Sequence, residues 1–288
     1  MPHNALAAAT SPVGIICGGG SLPFAVADAV TERGRPAVLF AIQGHADRAA
    51  VVRYRHHWVA LGQFGRLCRL ARKEGCRDIV FIGTVVRPAI SSVRLDWKTI
   101  TLLPRIYAMY RGGDDHLLTG IGRVFEEHGF TLHGAHELAP EILMPEGLLG
   151  TAAPSDQHHA DIARGLALLN AMGPFDIGQA AVVAGNQVIA VEAAEGTDHM
   201  LARVAELRRK GRIGTPVGVG VLVKAPKPGQ DRRFDLPSIG PRTIEGVAGA
   251  GLAGIAVIAG ATVVAEPDAI AKAADRAKLF VLGLRETP

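Results

Sequence analysis

Val13-Gly14-Ile15-Ile16-Cys17-Gly18-Gly19-Gly20-Ser21-Leu22-Pro23 decides how the rest of the chain is read. An apolar run stops at three glycines. Leu22, Val26, Ala29 and Val30 then fall at i, i+4, i+7 and i+8, one face of a helix. Pro23 suits the first helical turn, where its missing N–H costs little. The stretch is therefore strand, glycine turn, helix. Outward from it the pattern repeats. Gly34 ends the helix and Ala37–Ile42 reads as the next strand. Asp78–Gly83 is a third strand closed by glycine. Asp114–His128 reads as a helix ended by Gly129, and Phe130–Leu132 as a further strand. Strands alternating with helices imply a parallel sheet with helices packed on it.

The pattern breaks after His136. Residues up to Gly150 contain Pro140 and Pro145 and no clear period. Pro154-Ser155-Asp156 offers an N-cap for a helix carrying Ile162, Leu166 and Leu169. The boundary is placed near residue 137. This gives a Rossmann-like nucleotide- or phosphate-binding domain over 1–137 and a mixed α/β catalytic domain over 138–288. In the second half, Gln179–Ala184 and Gln187–Glu192 flank Gly185-Asn186, the turn of an antiparallel hairpin. A helix is expected from about Thr197, then a strand over Val217–Lys224. Thr243–Ala253, Ile255–Ile258, Pro267–Lys278 and Leu279–Leu282 complete the domain.

The chain has 288 residues, 48% hydrophobic and 20% charged, which excludes a disordered polypeptide and allows two domains. Aromatics at 5% leave few stacking platforms for single-stranded nucleic acid. Three widely spaced cysteines, Cys17, Cys68 and Cys76, and no basic and apolar leader suggest a reducing, cytoplasmic setting. The net charge is +4. Residues 1–144 carry 16 basic and 12 acidic side chains and the rest carry 15 of each, so the first half holds the excess. That bias suits an anionic ligand or membrane surface and is too small for DNA. Gly246–Ala265 is twenty residues without a charge, long enough to span a bilayer. Five glycines and seven alanines in it favour a helix end, a turn and a buried strand instead.

Three segments carry candidate chemistry. Gly18-Gly19-Gly20-Ser21 could present backbone N–H groups to a phosphate, or be a tight turn. It is no Walker A loop, and Pro23 stands where a dinucleotide fingerprint has its third glycine. The second runs from Lys224 through Lys227, Gln230, Asp231, Arg233 and Asp235 to Pro237 and Gly240. It is a stiff, mixed-charge loop after a buried strand, where α/β sites form. Its carboxylates could hold a divalent ion and its cations phosphate oxygens, or the loop could simply be solvated. The third is Glu192-Ala-Ala-Glu195-Gly196-Thr197-Asp198. Helix capping explains Thr197 and Asp198, or Glu195 and Asp198 join Asp231 and Asp235 around a metal. Asp114-Asp115 starts a helix and is open to either reading. The adjacent pairs His56-His57 and His158-His159 point apart and build no metal site; His133 and His136 are weak candidates.

Gly18–Pro23, Gly112-Gly113-Asp114-Asp115, Glu192–Asp198 and the Lys224–Gly240 loop, in that order over roughly residues 12–284, resemble the LpxI-type UDP-2,3-diacylglucosamine pyrophosphatases. One departure is Gly83-Thr84, where a lysine would be expected after the glycine. The resemblance implies hydrolysis of UDP-2,3-diacylglucosamine to 2,3-diacylglucosamine 1-phosphate (lipid X) and UMP in lipid A biosynthesis. It implies a divalent metal such as Mg²⁺, a lipid-linked sugar nucleotide lying between two domains, and a homodimer. It makes Asp231, Asp235 and Lys224 the catalytic candidates. Metal ligation would fall to Asp231, Asp235, Glu195 and Asp198. Substrate contacts would fall to Gly18, Gly19, Gly20, Ser21, Leu22, Asp115, Thr197, Lys227, Gln230, Arg233 and Thr243. A cytoplasmic enzyme peripheral on the inner membrane would meet such a lipid at the bilayer surface. Two other classes remain open: a nucleotide-dependent oxidoreductase, and a non-catalytic sugar-nucleotide or lipid-binding protein.

Overall fold

The computed structural model describes residues 11–85, 94–110, 114–234, 236–264 and 266–285, with side chains left out at 106–110 and 114–117. The chain divides into two units. One holds Met1–Glu141 and Asp231–Asp235; the other holds Ile142–Gln230 and Leu236–Pro288.

The first unit begins with strand β1 (Val13–Cys17), helix α1 (Leu22–Glu32) and β2 (Ala37–Ile42), as the opening stretch predicts. A short α2 (Arg48–Val51) leads to β3 (His56–Val59), followed by α3 (Phe64–Glu74) and β4 (Asp78–Ile82). Two helices, α4 (Trp97–Tyr110) and α5 (Asp114–Glu127), precede β5 (Thr131–His133) and the single turn α6 (Ala135–Leu138). The sheet order is β3-β2-β1-β4-β5, and every pairing is parallel. This is a doubly wound sheet whose strand order reverses beside β1. β1 is buried along its whole length because helices cover a parallel sheet on both faces. One side of the core gathers Ile16, Phe40, Leu67, Ile79, Phe125 and Leu132. β3 and α3 go beyond the strands and helices read from sequence. In β3 the two histidines do point apart. His57 Nε2 meets Glu74 Oε1 at 2.8 Å, while His56 Nδ1 meets the Tyr54 carbonyl at 2.9 Å.

The second unit opens with a short β6 (Gly147–Leu148) and α7 (Asp156–Met172). Ser155 caps α7 as predicted, accepting the His158 N–H, while His158 Nδ1 accepts the Ser155 N–H. The hairpin is β7 (Ala180–Ala184) and β8 (Gln187–Val191). Gly185 and Asn186 both take positive φ, as the two-residue type I′ turn demands. The Gly185 and Asn186 N–H groups donate to the fully buried Asp161 of α7, at 3.1 and 2.6 Å. Helix α8 (Gly196–Arg209) and β9 (Val221–Lys224) follow. The β9 strand is shorter than the expected Val217–Lys224, because Gly218 and Gly220 adopt positive φ and Val217 is left exposed.

The remainder is β10 (Ser238–Ile239), α9 (Pro241–Gly249), β11 (Gly254–Ile258), β12 (Val263–Val264), α10 (Pro267–Ala277) and β13 (Phe280–Leu284). The larger sheet runs β6-β13-β11-β9-β7-β8 and is mixed. β9, β11 and β13 are parallel; β6, β7 and β8 pair antiparallel. Alternation sorts β9 between two cores. Val221 and Val223 face Ile162 and Leu169 of α7. Leu222 faces Met200, Leu201 and Val204 of α8, with Ile244, Val247 and Ile270 from α9 and α10. The same period turns Lys224 toward the α8 side. The uncharged stretch is α9's end, a turn and buried β11, as expected. Among the described residues no helix is long and apolar enough to cross a membrane.

Candidate functional site

Lys224 ends β9, at the carboxyl edge of the parallel strands, and is only 7% exposed. A buried ammonium needs acceptors. Its Nζ donates to Thr197 Oγ1 at 3.1 Å and to the Ser238 carbonyl at 2.9 Å. Thr197 lies in the first turn of α8. Its hydroxyl donates to Glu192 Oε1 at 2.7 Å, which leaves a lone pair for Lys224. Glu192 Oε2 accepts the Gln179 N–H at 2.8 Å. The Gln179 amide then donates to Gln230 Oε1 at 3.3 Å, and that oxygen also accepts the Lys227 N–H at 3.2 Å. The Lys227 ammonium pairs with Asp176. One hydrogen-bonded chain thus joins four predicted residues, Lys224, Thr197, Gln230 and Lys227.

Two members of that chain, Glu192 and Gln179, have no assigned role in the sequence reading. The available signal was the hairpin. A two-residue turn at Gly185-Asn186 brings the far ends of the two strands together, and Gln179 and Glu192 are those ends. Thr243 is held differently. Its buried hydroxyl accepts the Gly240 N–H at 3.2 Å and caps α9.

Asp231 and Arg233 belong to the first unit. Arg233 donates to the Asp231 carboxylate through Nε at 3.0 Å and Nη2 at 2.8 Å, and through its backbone N–H at 3.1 Å. Its Nη1 donates to Glu126 Oε1 of α5 at 2.8 Å. The Arg233 guanidinium holds the Asp231 carboxyl below its usual value of 3.8, against the opposing effect of burial. The two carboxylates raise the guanidinium in turn, the Asp231 contact most. The next residue, Phe234, packs its ring 5.6 Å from that of Phe81. Gly122 makes room for it, since a Cβ there would stand 2.3 Å from Phe234 Cζ.

The sequence leaves the glycine turn between β1 and α1 as a phosphate cradle or a tight turn, and two of its N–H groups are bonded within the protein. The Gly18 N–H donates to the Ile82 carbonyl at 2.9 Å and the Gly19 N–H to the Thr84 carbonyl at 2.8 Å. Gly18 and Gly83 also lie back to back, and a Cβ at Gly18 would meet the Gly83 carbonyl at 2.7 Å. Close packing of two loops accounts for these glycines. Gly20, with positive φ, leads into Ser21 and Leu22 at the start of α1, where Pro23 has no N–H and the Phe24 and Ala25 N–H groups donate to the Ser21 carbonyl at 3.1 and 3.2 Å. Asp115 lies in the first turn of α5, and its side chain is outside the described residues.

Among the described residues no group of three or more His, Cys, Asp or Glu side chains could hold an ion. Asp231 is engaged by Arg233. Glu195 accepts from Arg203 at 2.7 Å and from the Ala193 N–H at 3.2 Å. Asp198 is exposed in the first turn of α8, where the helix N-terminus accounts for it. Asp235 lies outside the described residues. The weak candidate His133 is held between Asp78 and Glu137 at 3.1 and 3.0 Å.

Two family matches tile the chain. The LpxI N-terminal domain matches residues 12–142 and the LpxI C-terminal domain matches residues 145–282. The chain is 43% identical over 272 residues to the UDP-2,3-diacylglucosamine pyrophosphatase LpxI of Caulobacter vibrioides, covering 94% of this chain and 97% of that protein. With both domains matched in order and nearly all of the relative covered, the chain belongs to the LpxI family.

Proposed function

We propose that the protein hydrolyses the pyrophosphate bond of UDP-2,3-diacylglucosamine, releasing 2,3-diacylglucosamine 1-phosphate and UMP for lipid A synthesis. The observation that carries this reading is 43% identity, across 94% of the chain, to a pyrophosphatase of that name. Water adds across the P–O–P linkage. Its oxygen bonds one phosphorus, and the bridging oxygen leaves with the other.

The chain's own residues fit the electrostatic part of that reaction. Negative charge grows on phosphoryl and leaving oxygens, and a fixed cation there lowers the barrier without reorganising. Lys224 is such a cation, set by Thr197 and Ser238 before any substrate arrives. Lys227 and Gln230 stand on the loop that follows it and are candidates for pyrophosphate contact. Arg233 belongs to the same group by residue type, though its donors already serve Asp231 and Glu126. In this reading Asp231 or Asp235 orients the attacking water.

Use of a divalent ion such as Mg²⁺ is part of the proposal on family grounds alone. The described carboxylates supply no donor set for it, so no step is assigned to it. Homodimerisation and residence at a membrane surface belong to the same proposal. The deciding experiment incubates the purified protein with UDP-2,3-diacylglucosamine, with and without EDTA, and reads UMP and the sugar 1-phosphate. Equimolar release of both products is expected. Absence of UMP under both conditions and with added Mg²⁺ overturns the assignment.

A further inference from the structure

In the first unit, Val85, Leu95, Trp97, Ile100 and Leu103 are all exposed, and Trp97 keeps 79% of its surface in solvent. Single exposed aliphatics such as Val85 are ordinary, but an exposed indole with Leu95, Ile100 and Leu103 close by in the chain is not. Along α4, residues Trp97, Ile100 and Leu103 recur every three positions and sweep one side of the helix. Lys98, Thr101 and Arg105 occupy the adjoining flank.

Among the described residues, the fully exposed charges at the start of this surface are cationic. Arg94 and Lys98 are exposed where α4 begins. The start of α3 lies against them, since a Cβ at Gly65 would come within 2.8 Å of Lys98 Cβ, and Arg66 beside it is also exposed. The acid in this group, Asp96, is spent on the backbone. Its Oδ1 accepts from Thr99 N and Oγ1 at 2.9 and 2.8 Å, and Oδ2 accepts the Arg66 N–H at 2.8 Å. Farther along α4, Arg105 is paired with Glu127 and adds no net charge.

We propose that the surface centred on Trp97, with Arg94, Lys98 and Arg66 at its edge, docks the protein onto an anionic lipid bilayer. This rests on the proposed reaction in one respect: a diacylated substrate resides in a bilayer. Indole and aliphatic side chains bordered by Lys and Arg form the pattern of helices that lie in the headgroup region. Anionic headgroups attract juxtaposed cations, and salt weakens that attraction. A second copy of the chain fits this surface worse, because a two-fold contact brings together the same cation-edged patch from both copies, with no complementary charge.

The test is co-sedimentation of the full chain with vesicles of phosphatidylglycerol and phosphatidylethanolamine, and with vesicles of phosphatidylcholine alone. Wild type is expected to partition onto the anionic vesicles and to be released by raised salt. Trp97→Glu is expected to weaken binding at least tenfold, and Arg94→Glu with Lys98→Glu comparably. A Trp58→Phe background isolates Trp97, whose emission should shift to the blue on binding. Circular dichroism checks that each variant is folded. The proposal is overturned if wild type does not prefer anionic vesicles, or if folded Trp97→Glu binds them as wild type does. It is also overturned if Trp97→Glu changes only the oligomeric state by light scattering. UMP release from detergent-dispersed substrate separates the two readings. Vesicle binding without UMP release would sink the reaction and leave the docking surface standing.

Discussion

Glu192 and Lys224 share one hydroxyl. Thr197 Oγ1 donates to the carboxylate at 2.7 Å and accepts from the ammonium at 3.1 Å. Because a hydroxyl has one proton, its bond to Glu192 fixes it as an acceptor toward Lys224. A carboxylate that reaches a cation through a third side chain thereby helps set where that cation points.

Thr197→Val removes the shared group while keeping its shape. Hydrogen bonds to charged groups are worth about 1.5–3 kcal/mol. UMP release should therefore fall about ten- to hundredfold in kcat/KM. Thr197→Ser, which keeps the hydroxyl, should restore most of the loss. Steady-state kinetics on the two variants check this.

Glu192→Gln should slow the enzyme by acting through Thr197, so the two substitutions should not add. In a Thr197→Val background, Glu192→Gln should change kcat/KM less than about twofold, against about tenfold alone. Full additivity would mean that Glu192 reaches the substrate by another route.

The Asp231–Arg233 pair makes stability depend on pH. The folded-state pKa of Asp231 is depressed by Arg233. The contribution is therefore fully present above the unfolded value near 3.8 and is lost as pH falls through the lower folded value. Arg233→Met removes the largest cause of the depression and leaves the backbone N–H of residue 233. The melting temperatures of wild type and Arg233→Met should differ most at pH 5–7, begin to approach each other near pH 3.8 and converge as pH falls through the lower folded value. Thermal melts across that range test the sign.

Gly122→Ala forces a Cβ onto Phe234, 2.3 Å from Cζ. Overpacking of this kind typically costs roughly 1–3 kcal/mol. Phe234→Ala in the same chain removes the obstacle, so the double variant should be more stable than the sum of its parts. Urea denaturation of the four species gives the coupling.

How far the fold could be read depended on how local each signal was. Val13–Cys17 with its glycine stop, and Gly185-Asn186 between two apolar runs, are decided by neighbours in sequence, and both became the expected elements. β3 was missed because His56 and His57 replace the apolar alternation of a strand at the edge of its sheet. α3 carries Phe64, Leu67, Cys68 and Ala71 at helical spacing, a signal present but left unread. The expected start of β9 failed at Gly218 and Gly220, whose positive φ no apolar pattern reveals.

The site divides the same way. Lys224 could be picked out as a cation at the end of a buried strand. Glu192 could not, because its partner Thr197 also reads as a helix cap. That it holds a lysine 32 residues away depends on strand pairing. Arg233 was read as a phosphate ligand because the position of Glu126, which occupies part of its guanidinium, comes from a helix more than a hundred residues earlier.

The hold of Asp161 on the hairpin tip reaches to this end of the unit. β8 is an edge strand, paired only with β7 and buried fully only at Ala190, so its register has few contacts to fix it. A slip of one residue would turn Glu192 to the opposite face of the sheet, away from Thr197. By gripping the N–H groups of Gly185 and Asn186, Asp161 anchors the turn from which β8 starts, about 20 Å from Glu192 at 3.3 Å per residue, and the irregularity opposite Val182 and Val183 sets the rest of the phase. A buried carboxylate outside the lysine network thus holds one end of the strand whose other end carries the network's own carboxylate.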